Sequence, residues 1–159
     1  MIDDETIKRL LALPVVVIVD EAYIEFAELA GFQSRIQWVR EYDNLVVLRT
    51  FSKLAGLAGL RIGYGAFPEW IVPHIMKIKQ PYNVHVAANL AALGSLHDVE
   101  WLHDKVRLLV EEKQRMVQLL EEFEFLKPYP STSNFVLFDV IGRPAEQLQA
   151  QLMLSLIHI

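Results

Sequence analysis

Cysteine is absent from all 159 residues, which removes disulfide frameworks, thiolate metal ligands and cysteine nucleophiles. Basic residues are scarce as well: 15 Lys and Arg against 20 Asp and Glu leave a net charge of -5, and no Lys/Arg cluster offsets it locally. A chain of that kind lacks the electrostatic footprint of a nucleic-acid binder. No apolar run reaches the ~18 residues that a membrane span needs. The start MIDDETIKR is not the basic-then-apolar pattern of a secretory leader. Neither nucleic acid nor a membrane is expected as a partner, and the cytoplasm is the expected compartment. His74, His85, His97 and His103 do not fall at metal-ligand spacing, so no metal site is expected. No G-x-S-x-G elbow surrounds Ser52, which argues against a serine hydrolase.

What the sequence does hold is apolar material, 53% of the chain, enough for one ordinary core and the start of a second domain. Residues 3–13 carry acids in a first turn and apolar residues at Ile7, Leu10 and Leu11, which predicts a short amphipathic helix ended by Pro14. The β-branched run VVVIVD predicts a strand buried on both faces, as in a parallel sheet. A helical pattern over 34–42 leads into a second strand, LVVLRTF, in the order of a βαβ unit, and RIGYGAF is a candidate third strand. Beyond Pro68 the period changes. PEWIVPHIMKIK, despite its inner Pro73, and VHVAANLAALGSL predict helices, the second Ala-rich for close packing. A long amphipathic helix is expected over 98–125. KPYPSTS is a turn-rich breaker, NFVLFDV a further strand, and GRPAEQLQAQL the start of another helix. The fold class is α/β, with a mostly parallel sheet flanked by helices over 1–97, a connecting helix over 98–127, and the start of a smaller α+β domain over 128–159.

In open α/β sheets ligands collect at the carboxyl ends of the strands. Asp20 closes VVVIVD and the RTFSK segment closes LVVL, so a carboxylate, two hydroxyls and a lysine share one edge. Burial favours the neutral amine of a lysine, which makes Lys53 a plausible Schiff-base nucleophile. Thr50, Ser52 and Arg61 are the residue types that grip a phosphate, because guanidinium binds two oxygens at once and hydroxyls fill the remaining positions. Each has a plain alternative when taken alone. Lys53 is an ordinary surface residue after a strand, and Asp20-Glu21 a turn or helix cap. The glycines at 56, 59, 63 and 65 permit tight packing, above all Gly56 and Gly59. Asn134 is a hydrogen-bonding residue at a strand entry.

Taken together and in order, DEAYIEF, LRTFSKLAGLAGLRIGYG, PYNV and STSNFVLF resemble the fold-type I aminotransferases that depend on pyridoxal 5'-phosphate (PLP). Within that family the similarity is greatest to histidinol-phosphate aminotransferases, with threonine-phosphate decarboxylases and aromatic aminotransferases as near alternatives. A non-catalytic aminotransferase-like module is the remaining one. The resemblance implies transamination between an amino donor, L-histidinol phosphate, and a 2-oxo acid, 2-oxoglutarate, in histidine biosynthesis. It implies Lys53 as the cofactor-bearing lysine and general acid/base, Asp20 as partner of the pyridine nitrogen, and Tyr23 as partner of the ring 3' oxygen. Thr50, Ser52 and Arg61 would hold the cofactor phosphate, while Tyr82, Asn83 and Asn134 would face the substrate. It also implies a homodimer for the whole protein.

Family members are considerably longer. The first phosphate-binding turn, the aromatic residue stacked on the cofactor and the small-domain arginine for the substrate carboxylate are expected outside this chain. The expectation is therefore a fragment truncated at both ends, with a foreign tail over the last ~8 residues. Misalignment of about 1 Å costs on the order of 100-fold in rate, so the fragment itself is expected to be inactive. Open sheet edges further predict aggregation.

Overall fold

The structure, a computed structural model, describes residues 2–155. The chain forms two compact units, Met1–Arg107 and Leu108–Ile159. In the first, Asp3 caps α1 (Asp4–Leu11), its Oδ1 accepting from the Thr6 amide at 2.8 Å. That bond holds the Asp3 carboxyl below its ordinary pKa. Strands β1 (Val17–Asp20) and β2 (Leu45–Thr50) pair in parallel, from Val17 opposite Leu45 to Asp20 opposite Leu48. Ile7 and Leu11, one helical turn apart, pack on Leu45 and Val47, and Val17, Val19, Trp38 and Tyr42 close around them. The Asn44 side-chain amide donates to the carbonyls of Leu11 and Val15, each at 2.9 Å, and so fixes the connection from α1 to β1.

Between the parallel strands run α2 (Ile24–Glu28) and a 3-10 turn (Ile36–Arg40). The predicted helix over 34–42 is thus reduced to that turn. After β2 come α3 (Phe51–Leu54), a second 3-10 turn (Ala58–Leu60) and β3 (Gly63–Ala66). β3 pairs antiparallel to β2, from Val47 opposite Ala66 to Thr50 opposite Gly63, giving the order β1-β2-β3. Phe51 and Ile62 pack with Ala88 and Ala92 of α5 (Val86–His97), whose small residues allow the close approach. Before it, α4 (Val72–Ile78) carries Pro73 in its first turn. There its lacking N–H costs nothing, so the proline sits in the opening turn rather than interrupting the helix.

β1 departs from expectation. Val17 and Val19 are half-buried against α1, but Ile18 is 62% exposed, so only one face of the strand is covered. A continuous β-branched run specifies a strand without specifying how many of its faces are packed. The glycines depart too. Gly56 and Gly59 have open space around them, and Gly56 is instead required by its φ of +67°. The close approaches are at Gly63, where a Cβ would lie 2.6 Å from the Arg49 carbonyl oxygen, and at Gly65, where it would lie 2.6 Å from the Phe67 ring.

Helix α6 (Val99–Glu121) begins in the first unit and continues into the second. Leu102 and Val106 are its buried positions. In the second unit β4 (Leu126–Pro128) pairs antiparallel with β5 (Phe138–Val140), followed by α7 (Ala145–Ser155). The start of the predicted breaker is therefore strand, and only the end of NFVLFDV pairs. Lys113 of α6 donates to the carbonyls of Ser131 and Ser133 at 2.7 and 2.8 Å, shaping the intervening loop, and burial pulls its pKa below the ordinary amine value. Of the suspected foreign tail, 152–155 belong to α7, and 156–159 lie outside the described residues. Among the described residues, no helix is long and apolar enough to cross a membrane.

Gly63→Ala is expected to destabilise the first unit by about 1–3 kcal/mol, because the obstructing atom is backbone and cannot rotate away. Urea denaturation of the variant measures this, with Gly59→Ala as the control that meets open space.

Candidate active site

Two strand ends build the candidate site. At the end of β1, Asp20 Oδ1 accepts from the Ala22 amide at 2.9 Å and starts the turn that carries Tyr23. At the end of β2, Thr50 Oγ1 accepts from the Ser52 amide at 3.0 Å, which caps α3 directly on the strand. The turn places Ser52 and Lys53 half-buried. Lys53 Nζ lies 5.2 Å from the centroid of the Tyr23 ring, so the turns leaving the two strands meet through that cation and ring. Because β1 and β2 are parallel and adjacent, Asp20, Tyr23, Thr50, Ser52 and Lys53 share the carboxyl edge of the sheet.

Arg61 joins this edge through its neighbour. The Ile62 carbonyl accepts from the Phe51 amide at 3.2 Å and from Thr50 Oγ1 at 3.4 Å. Arg61 itself is exposed, with a φ of 52°. A non-glycine residue in the left-handed region carries strain of about 1–2 kcal/mol, a feature that concentrates at functional sites. Its Nη1 donates to the Ala58 carbonyl at 3.0 Å, leaving the guanidinium at the surface.

Tyr82, at 94% exposure, and Asn83 occupy the loop between α4 and α5, and Asn134 is an exposed residue of the second unit. Among the described residues, no group of His, Cys, Asp or Glu is arranged to hold a metal ion.

Sequence reasoning missed a buried polar cluster behind the edge. Glu21 is 4% exposed; its Oε2 accepts from Ser34 Oγ at 2.6 Å and from Arg49 Nε at 3.1 Å, and its Oε1 from the Arg35 amide at 2.6 Å. Arg49 Nη1 lies 3.8 Å from Glu25. The available signal was two acids four residues apart in an apolar stretch and an arginine inside a buried strand, residue types almost never buried unless paired. Burial works against the charge of Arg49, yet its bonds to Tyr64 and Glu21 outweigh it and raise the pKa. Burial raises the Glu25 carboxyl above its ordinary 4.5, offset only in part by its backbone bond and by Arg49, and reinforced by Glu28 and Glu21.

A carboxyl whose pKa rises on folding binds its proton more tightly in the folded state. The stability this contributes is complete below 4.5 and is lost as pH rises through the folded value. Glu25→Gln is therefore expected to unfold at a higher temperature than the wild type at neutral pH. The two midpoints should converge below 4.5, as thermal melts across that range would show.

The profile of the family "Aminotransferase class I and II" matches residues 1–158. The chloroplastic histidinol-phosphate aminotransferase of Nicotiana plumbaginifolia is 51% identical over 153 residues, covering 96% of this chain and 36% of that protein. Among solved structures, histidinol-phosphate aminotransferase from Clostridium acetobutylicum superposes with a TM-score of 0.87 at 25% identity, over 98% of this chain and 48% of that one. The Sinorhizobium meliloti enzyme, solved in complex with pyridoxal-5'-phosphate, gives 0.78 at 30% identity, over 92% and 41%. The chain thus spans between about a third and a half of the length of these relatives. Its α/β architecture is that of the fold-type I large domain, with parallel β1 and β2 presenting their carboxyl ends on one edge. The chain belongs to the aminotransferase class I and II family.

Proposed function

We propose that this chain supplies the lysine-bearing part of a PLP-dependent aminotransferase site, and that the whole protein transfers the amino group of L-histidinol phosphate to 2-oxoglutarate. Imidazole-acetol phosphate and L-glutamate leave, so nitrogen passes between substrates with no net oxidant. The observation that carries the proposal is the contact of half-buried Lys53 with Tyr23 on the edge that also holds Asp20. The 51% identity to a protein named histidinol-phosphate aminotransferase supports that donor over a decarboxylase or an aromatic aminotransferase.

The donor set of the edge fits PLP group by group. Lys53 offers a primary amine for the aldehyde, Asp20 a carboxylate for the pyridine nitrogen, and Tyr23 a phenol for the ring oxygen. Ser52, Thr50 and the exposed Arg61 guanidinium offer hydroxyls and a fork for the phosphate. Thr50 already donates to Ile62, so toward a phosphate it would have to exchange that partner. PLP, when bound, supplies an electron sink for negative charge developing at the amino-acid Cα. Lys53 would move the proton at that carbon as general acid/base. Asp20 would keep the proton on the pyridine nitrogen by charge pairing. Tyr82, Asn83 and Asn134 stay proposed for the substrate side. The cytoplasm is the proposed compartment and a homodimer the proposed assembly of the whole protein. The proposed organisation is cofactor-domain residues over 1–97, a connecting helix over 98–127 and a small-domain start over 128–159.

Incubation with PLP, borohydride reduction and peptide mass mapping test the site. Selective label on Lys53, lost in Lys53→Ala, is the expected result, and label scattered over surface lysines would contradict it. For the donor, the full-length protein should form glutamate from L-histidinol phosphate and 2-oxoglutarate. Carbon dioxide release from a phosphorylated amino acid instead would identify a decarboxylase.

A further inference from the structure

Glu21 directly follows Asp20, and Arg49 directly precedes Thr50. The pair, with Glu21 buried and Arg49 half-buried, therefore adjoins, through the chain itself, two of the residues proposed to hold the cofactor. Both Nε and Nη2 of Arg49 lie 3.1 Å from Glu21 Oε2. The Glu21 amide donates to the Leu48 carbonyl at 2.8 Å, adding a backbone tie between the same two strand ends. Arg49 also stands opposite Tyr64 in β3, one register position from Gly63 opposite Thr50. One guanidinium thus connects the turn after β1, the end of β2 and the strand that follows Arg61.

Stability alone accounts poorly for such a pair, since a buried ion pair is commonly no better than apolar residues of the same volume. What an apolar contact would not supply is direction. The guanidinium is a rigid planar fork, and Glu21 is held at both oxygens, so the pair admits little freedom in the spacing of the strands it joins.

We infer that the Glu21–Arg49 pair is a positioning device for PLP, setting the distance between the Asp20–Tyr23 turn and the Thr50–Lys53 turn so that one cofactor engages both. The inference rests on the cofactor assignment made under Proposed function. Neither residue touches the cofactor; each acts through its neighbour in sequence. A shift of about 1 Å between the two turns is enough to separate the carboxylate from the amine it must work with.

The test is a PLP titration of the full chain read by borohydride fixation on Lys53, with thermal melts of the cofactor-free protein alongside. Arg49→Lys keeps the charge and removes the fork, and Glu21→Gln removes the charge and keeps one of the two acceptor oxygens. Asp4→Asn is the control, because it removes the ion pair that Arg35 makes with Asp4 and leaves both strand ends untouched. Expected are folded Arg49→Lys and Glu21→Gln proteins whose half-saturating PLP concentration rises about tenfold or more. The control should stay within about twofold of the wild type, the scatter of an uninvolved site. Either folded variant saturating within about twofold of the wild type would overturn the inference. So would an equal weakening in the control, or failure of both variants to fold, which would assign the pair to stability alone. A wild-type chain that takes no label at Lys53 would refute the cofactor assignment itself, and the inference with it.

Discussion

Arg49, a charged residue within the central strand of a three-stranded sheet, constrains everything around it. Burial would expel it unless its charge were met, and Glu21 meets it from the turn after β1, with Glu25 3.8 Å away. This requirement fixes where the chain turns after Asp20, and Ser34 and Arg35 are drawn to the same carboxylate, which anchors the connection between β1 and β2. The apolar packing of Ile7, Leu11, Leu45 and Val47 supplies the driving force, about 1.5–3 kcal/mol for each fully buried side chain. It carries little directional information. The polar cluster supplies direction, and it lies immediately behind the residues assigned to chemistry.

The candidate site follows from parallel pairing. Two adjacent parallel strands must end on the same edge, so Asp20 and Thr50 come to that edge by backbone pairing. Short local devices then aim the neighbouring residues. The Thr50 cap starts a helix at once and turns Lys53 toward Tyr23, and the Ile62 carbonyl ties the segment after Arg61 to the same cap. Arg61 is held in a left-handed conformation where glycine would be easier, a cost consistent with a side chain kept for its guanidinium.

Much of this was legible in the sequence. The carboxyl-edge placement of Asp20 and Lys53 followed from two β-branched runs in βαβ order, and the family from four motifs in series. Less legible was whatever depends on surroundings rather than on the local pattern. VVVIVD specified a strand but not that Ile18 would be exposed. The glycines signalled tight backbone, but spacing alone did not separate Gly63, which abuts Arg49, from Gly56, which needs a positive φ. Glu21 resembled a cap because a carboxylate after a strand usually is one; its burial with Arg49 is a tertiary fact with no periodic signature. Pro73 resembled an interruption and proved to sit in the opening turn of a helix.

A crystal structure of the chain grown with PLP tests the central claim most directly. The account predicts continuous density from Lys53 Nζ to the cofactor, the pyridine nitrogen beside the Asp20 carboxylate, and the phosphate against Ser52, Thr50 and Arg61. Cofactor bound through another lysine, or bound at Lys53 with its ring directed away from Asp20, would contradict it.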